Sequence, residues 1–379
     1  MVSKKLNIIT LGCSKNTVDS EILIKQLESG GFSVFSDPSD FSAENVIINT
    51  CGFINDAKEE SIDTILRFVK ANRNYKNRNL FVIGCLSERY MEELKKEIPE
   101  VKKYFGVNSM TEILAQLGIL TKKELLLERT LTGPGHYAYL KVSEGCDRTC
   151  AFCSIPFIRG KYVSRTVDDL VKEAEILADR GVRELILVAQ DLSYYGLDHY
   201  RKQMLPELLS ELLRIDSLEW IRLQYLYPAN LPERIISLIN ENPKMCSYID
   251  IPIQHISNRM LELMKRSHNG KETRQLLYKL RNEIPGAAIR TTLIAGHPGE
   301  TVEDYKELKD FIEEFRFDRL GIFSYSHEEG TFSYLNYNDI VPDEIKESRV
   351  SELMSIQQSI SEELNQSKIG RIIKVLIDN

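Results

Sequence analysis

Short strand-like runs and amphipathic helical runs alternate along nearly the whole chain, and a chain built this way has few folds open to it. "LNIITLG", "FSVFSD", "NVIINTCG", "LFVIGCL" and "KKYFGV" carry β-type patterns, while "TVDSEILIKQLESGG", "DAKEESIDTILRFVKA" and "SERYMEELKKEI" have helical spacing. Repeats of strand, helix, strand favour a parallel, doubly wound α/β sheet. After a helical connector and the breaker "TGPGH" at Thr132 to His136, strand patterns resume with "YAYLKVSEGC", "ELILVAQD", "WIRLQYLYP", "YIDIPIQH", "AAIRTTLIAG" and "RLGIFSYS". Six such strands with helices between them predict a partial (β/α)6 barrel, whose polar strand-end residues face a site. "VPDEIKESRVSELMSIQQSISEELNQSKIG" predicts one long helix, and "RIIKVLIDN" a single strand without a partner. The expected division is 1–130 for the doubly wound domain, 131–340 for the partial barrel, 341–369 for the long helix and 370–379 for the last strand.

The cysteines fall at telling places in that frame. Cys13 follows "NIITLG", Cys51 follows "NVIINT" and Cys85 follows "LFVIG", each just past the carboxyl end of a predicted strand. In an open parallel sheet those ends share one edge, where such folds bind ligands, so these cysteines are expected to converge. The competing reading, that each is a small buried hydrophobe, explains single cysteines well but not such a set at equivalent loop positions. It does suit Cys246, which has no partner in sequence. Cys146, Cys150 and Cys153 form a second set, spaced CxxxCxxC, directly after the first barrel strand. A closed zinc site wants a fourth ligand, and the nearest histidines are His136 and His199. Soft thiolates favour iron–sulfur clusters, and a 4Fe-4S cluster held by three cysteines leaves one iron open to a substrate or cofactor.

Composition narrows the setting. Hydrophobic residues make up 42% and charged residues 28% of the 379-residue chain, and no apolar run reaches the roughly 18 residues of a membrane span. No secretory signal pattern is seen at the start, so the expected compartment is the reducing cytoplasm, with no membrane partner and no disulfide framework. A net charge of -7 argues against a large nucleic-acid footprint and suits a basic protein partner.

CxxxCxxC after the first strand of a βα barrel resembles the radical S-adenosylmethionine superfamily. The whole arrangement, a cysteine trio in an N-terminal α/β domain followed by "GCDRTCAFCSIPFIRGKYVSR", resembles the methylthiotransferases within it. Further resemblance lies at "QDLSYYG", "DIPIQHIS", "IRTTLIAGHPGET" and "FSYSHEEGT". It implies two 4Fe-4S clusters, one on Cys146, Cys150 and Cys153 that binds S-adenosylmethionine for reductive cleavage, the other on Cys13, Cys51 and Cys85 that holds the sulfur to be inserted. No side chain is then required as a catalytic acid or base. A reductant such as flavodoxin or ferredoxin and a sulfur donor are implied as partners. Asp147, "YLYP", "DIPIQH" and "YSHEEGT" point to the branch that methylthiolates the β-carbon of an aspartate in protein twelve of the small ribosomal subunit. The tRNA adenosine branch is the alternative, and an iron–sulfur carrier or scaffold a more distant one.

Smaller expectations concern the barrel mouth. Gln190 and Asp191 end the second barrel strand, Arg222 and Gln224 lie in the third, and Gln254 and His255 end the fourth. Of these Gln190, Arg222 and Gln254 are expected to bind cofactor. Gly296 and Gly299 in "IAGHPGET" let backbone approach the cofactor closely, or serve only the turn before a helix. His297 stands where the family more often has phenylalanine, and a pocket-lining role is expected for it. The family usually ends in a TRAM β-barrel, of which "GRIIKVLIDN" resembles the first strand alone, as in a truncated chain.

Overall fold

The computed structural model describes residues 4–72 and 78–377. Thirteen strands are present among them: β1 (Lys4–Thr10), β2 (Phe32–Phe35), β3 (Asn45–Thr50), β4 (Asn79–Gly84), β5 (Lys103–Tyr104), β6 (Tyr137–Lys141), β7 (Ser143–Glu144), β8 (Val163–Ser164), β9 (Glu184–Val188), β10 (Trp220–Leu223), β11 (Met245–Asp250), β12 (Ala288–Ala295) and β13 (Arg319–Ser324). The first sheet is parallel throughout and ordered β2-β1-β3-β4-β5, with Leu6 opposite Asn45 and Asn45 opposite Asn79. Every residue of its central strand β3 is buried, because helices cover both faces.

The second sheet has six parallel strands in the order β13-β12-β11-β10-β9-β6. Here burial alternates. Ala138, Leu140, Ile221, Leu223, Ile289 and Leu293 pack under the helices, while Tyr139, Lys141, Arg222, Arg290 and Thr292 on the opposite face are only half-buried. The parallel α/β architecture and the six-strand series are as the periodicity predicts. The helix Asp343–Gln366 packs along β13, where Leu353, Gln357 and Ile360 are buried and Gln357 Nε2 donates to Phe317 O at 2.8 Å.

Three local features differ from the sequence pattern. The helix expected over "SERYMEELKKEI" is two helices, Cys85–Arg89 and Met91–Glu97, because Tyr90 leaves helical geometry at φ -126°. A short antiparallel pair, β7 with β8, was not signalled, since two-residue strands carry no period. The strand expected over "RIIKVLIDN" does not form within 371–377, and its last two residues lie outside the described ones. No neighbouring strand accepts it; Ile372, Ile373, Val375 and Ile377 remain exposed, and Lys374 instead bonds Glu219 beside the Trp220 ring.

Candidate functional site

The loop carrying Cys146, Cys150 and Cys153 is closed at its base by the β7–β8 pair and by Cys146 N–H donating to Gly160 O at 3.1 Å. Gly145 makes the closure possible. Its φ is +74°, and a Cβ there would stand 2.1 Å from Lys161 O. Asp147 accepts from Tyr162 N–H at 3.0 Å, which fixes the far side of the loop.

Two arginines serve the thiols. Arg148 N–H points to Cys146 Sγ at 3.4 Å, and Arg266 Nη1 donates to Cys150 Sγ at 3.3 Å. Both guanidinium groups lie against one ring, Tyr227, at 4.0 and 4.2 Å from its centroid, and Asp191 holds Arg148 at 2.8 Å. Burial pushes the Cys146 thiol up to about 11 and raises that of Cys153 further. Thiols so placed keep their protons unless a soft metal takes them.

The expected convergence of Cys13, Cys51 and Cys85 is present. Cys13 caps the helix Ser14–Ser29, Cys51 follows β3 and Cys85 opens the helix after β4. At Gly12, φ +89°, a Cβ would lie 2.6 Å from Cys51 Cβ, so the first two loops touch. Asn16 ties all three: its Nδ2 donates to Leu11 O at 2.9 Å and Thr50 O at 3.0 Å, and its Oδ1 stands 4.0 Å from Cys85 Sγ. Burial raises Cys51, and pushes Cys85 up to about 11. No disulfide links any of the seven cysteines. Each set offers three soft donors, the donor chemistry of an iron–sulfur cluster, although among the described residues no three His, Cys, Asp or Glu side chains are already close enough to grip a single metal ion.

Arg159 joins the two sets. It ends the short helix Ile155–Arg159 just after Cys153, and its Nη2 donates to Asn16 Oδ1 at 2.5 Å while Nη1 donates to Glu144 Oε1 at 2.8 Å. Burial alone would raise Glu144, but Lys141 and Arg159 outweigh it and hold this carboxyl down at about 2. Lys15 reaches the same space from the N-terminal side, with its Nζ 3.6 Å above the Tyr225 ring, and burial lowers its ammonium to about 8. A second clasp spans the interface: Glu328 accepts from Lys58 at 3.0 Å and Arg89 at 2.6 Å.

The remaining expected residues are spread around the mouth. Gln190 Nε2 donates to Glu144 at 3.4 Å, and its Oε1 is buried without a partner among the described residues. Arg222 lies deeper, bonded to Glu184 at 2.5 Å and 4.8 Å from the Tyr248 ring centroid. Gln254, at φ +71°, bridges backbone to Leu293. Gly296 and Gly299 have positive φ, and a Cβ would meet Lys346 Cγ at 2.3 Å in the first and Leu263 at 3.1 Å in the second, so the turn itself favours glycine at both. His297 is fully buried against Tyr325 and Tyr337, a core position rather than the wall of a pocket. Cys246 is half-buried on β11, near Arg222. Sequence reasoning missed Lys15, Asn16, Arg159 and Arg266; the first two follow Cys13 in "GCSKN" and Arg159 lies in the run "GCDRTCAFCSIPFIRGKYVSR", while Arg266 gives no local signal.

The model of the uncharacterized protein family UPF0004 matches residues 5–106, and that of the radical SAM superfamily matches residues 140–312. The ribosomal protein uS12 methylthiotransferase RimO of Phocaeicola vulgatus is 50% identical over 378 residues, covering 100% of this chain and 88% of its own. That of Flavobacterium psychrophilum is 52% identical over 374 residues, covering 99% and 86%. Among solved structures, the radical S-adenosylmethionine methyltransferase TsrM of Kitasatospora setae superposes with a TM-score of 0.64 at 15% identity, over 84% of this chain and 73% of its own. The cobalamin-dependent enzyme OxsB gives 0.60 at 12% identity over 99% and 62%. These last two share the fold.

Proposed function

Because the chain belongs to the RimO family of radical S-adenosylmethionine methylthiotransferases, we propose that it replaces a β-hydrogen of an aspartate in ribosomal protein uS12 by a methylthio group. Cys146, Cys150 and Cys153 would hold one 4Fe-4S cluster together with S-adenosylmethionine, and Cys13, Cys51 and Cys85 the second. When bound, these groups supply a radical able to take hydrogen from an unactivated carbon, and the sulfur that replaces it. The chain's own part is to hold, orient and exclude water. Arg148 N–H and Arg266 donate to Cys146 and Cys150, and Asn16 ties together the loops of Cys13, Cys51 and Cys85. Gln190, with its free buried oxygen, and Gln254 stand at the cofactor end of the mouth, with Arg222 below them; Gly296 and Gly299 shape the adjoining turn.

One observation carries this reading: Arg159, just after Cys153, donates to Asn16 Oδ1 beside Cys85, which ties the loop of one cysteine set to those of the other. The unit bearing the first trio is 1–130, that bearing the second 131–340, followed by 341–369 and 370–379. A reductant of the flavodoxin or ferredoxin type and a sulfur donor complete the reaction, in the cytoplasm. No described helix is long and apolar enough to cross a membrane.

The test uses anaerobically reconstituted enzyme. With Cys13, Cys51 and Cys85 all changed to Ala, about half the iron should remain and 5′-deoxyadenosine should still form, while methylthiolated uS12 disappears. Product from that variant would overturn the second-cluster role. Mass spectrometry of uS12 and of tRNA from a deletion strain decides the substrate: loss of the modification from tRNA alone would replace uS12 by tRNA.

A further inference from the structure

One cation in the shared space has no carboxylate partner among the described residues, the thiol of Cys13 two positions away being the nearest group of opposite charge to bear on it. Lys15 stands in the first turn of the helix Ser14–Ser29 with only 6% of its surface exposed, and its ammonium meets the face of the Tyr225 ring. Among the described residues it makes no hydrogen bond and no ion pair. The carboxylates whose charge reaches it are already engaged. Asp250 is taken by Arg290 at 2.8 Å and by Tyr225 N–H, and Glu144 by Lys141 and Arg159, both at 2.8 Å. A buried ammonium resting on a π face alone forgoes the strong charge-assisted bonds it had in water, and such groups are normally paired.

The platform beneath it is built at a cost. Tyr225 has φ +68°, a left-handed conformation uncommon for an aromatic residue, and hydrogen bonds on either side hold it there: Leu192 N–H to Tyr225 O at 3.0 Å and Leu226 N–H to Asp250 O at 2.9 Å. That turn, just past the end of β10, puts the ring under Lys15. Cys13 lies within electrostatic reach of both residues. The unpaired cation therefore stands beside the first cysteine set and over the barrel mouth.

We infer that Lys15 receives the side-chain carboxylate of the target aspartate of uS12, and so sets the neighbouring β-carbon between the two cysteine sets. The carboxylate carbon is bonded directly to the reacting carbon, so holding one places the other. A neutral asparagine at the same position would leave the ammonium unpaired, which makes Lys15 a determinant of acid over amide. This assignment rests on the reading of an aspartyl substrate.

The experiment compares equilibrium binding of uS12, and of uS12 with Asn at the target aspartate, to reconstituted full-length enzyme and to Lys15→Met, Lys15→Gln and Lys15→Arg. Wild type should prefer the aspartate form. Lys15→Met and Lys15→Gln should weaken that form roughly 10- to 100-fold, to the level of the asparagine form, at unchanged iron content. Lys15→Arg should recover part of the preference. Aspartate preference surviving in either neutral variant overturns the assignment, and so does loss of iron from both, which would mean that Lys15 offsets the charge of the first cysteine set. Failure of the parent reading shows in wild type alone, which would then neither prefer nor modify the aspartate form.

Discussion

His297 illustrates how a single buried group ties stability to pH. Its Nδ1 faces Pro298 O at 3.1 Å, which can only accept, so the neutral ring carries its proton there and Nε2 accepts from Ser333 Oγ at 2.9 Å. Burial lowers its pKa from 6.5 to about 4. The folded protein thus binds fewer protons than the unfolded chain between those values, and stability contributed by the neutral ring is lost as pH falls from 6.5 toward 4. His297→Phe should cost about 1 kcal/mol at pH ~7.5, through the lost bond to Ser333, yet match or exceed wild type near pH ~5.5, where wild type has lost about 1.4 kcal/mol. Urea midpoints at the two pH values check this, and a constant gap would disprove it. Asn16 is a second such residue. Asn16→Ala strands two buried carbonyls and frees Arg159, so we expect a loss of about 2–4 kcal/mol together with the iron of the first trio.

At the scale of elements, the β7–β8 pair acts as the drawstring of the CxxxCxxC loop. Gly145→Ala would drive a methyl group into Lys161 O at a backbone angle alanine resists, and the loop base must open. About half the iron should remain, on Cys13, Cys51 and Cys85, and formation of 5′-deoxyadenosine should stop; retained cleavage would mean the loop tolerates a wider neck. Elements like β1, β3 and β12 were plain in the sequence because apolar residues recur with one period over several residues. From parallel strands the meeting of Cys13, Cys51 and Cys85 followed, since the ends of such strands share an edge. The drawstring itself, two residues a side, is too short to show a period. The break at Tyr90 and the unpaired 371–377 segment were hidden for another reason: local pattern records what a segment can do, and neighbours decide whether it does.

For the molecule as a whole, the least legible feature was how the two sheets dock. Arg159 and Asn16 lie 143 positions apart, and Lys58 and Glu328 lie 270 apart, so no local signal links them. Glu328 should matter to this docking. Burial alone would raise its carboxyl, but bonds from Ser326, Lys58 and Arg89 prevail and lower it. Glu328→Gln leaves Arg89 and Lys58 without their counter-charge at a cost of about 2–3 kcal/mol, and calorimetry should then resolve two unfolding transitions in place of one. A single transition at the wild-type midpoint would show that the clasp contributes nothing.

All five strands of the first sheet lie between Lys4 and Tyr104, whereas Arg159 and Tyr225, which meet Asn16 and Lys15 beside its cysteines, come later in the chain, in a barrel whose last strand ends only at Ser324. Synthesis at roughly 5–20 residues per second leaves about 10–40 s between the completion of the one and of the other. For that interval the loops of Cys13, Cys51 and Cys85 lack the later partners, Arg159 on Asn16 and Tyr225 under Lys15. If Cys13, Cys51 and Cys85 are the ligands proposed above, the order of translation gives the nascent chain a timed opening for metal delivery.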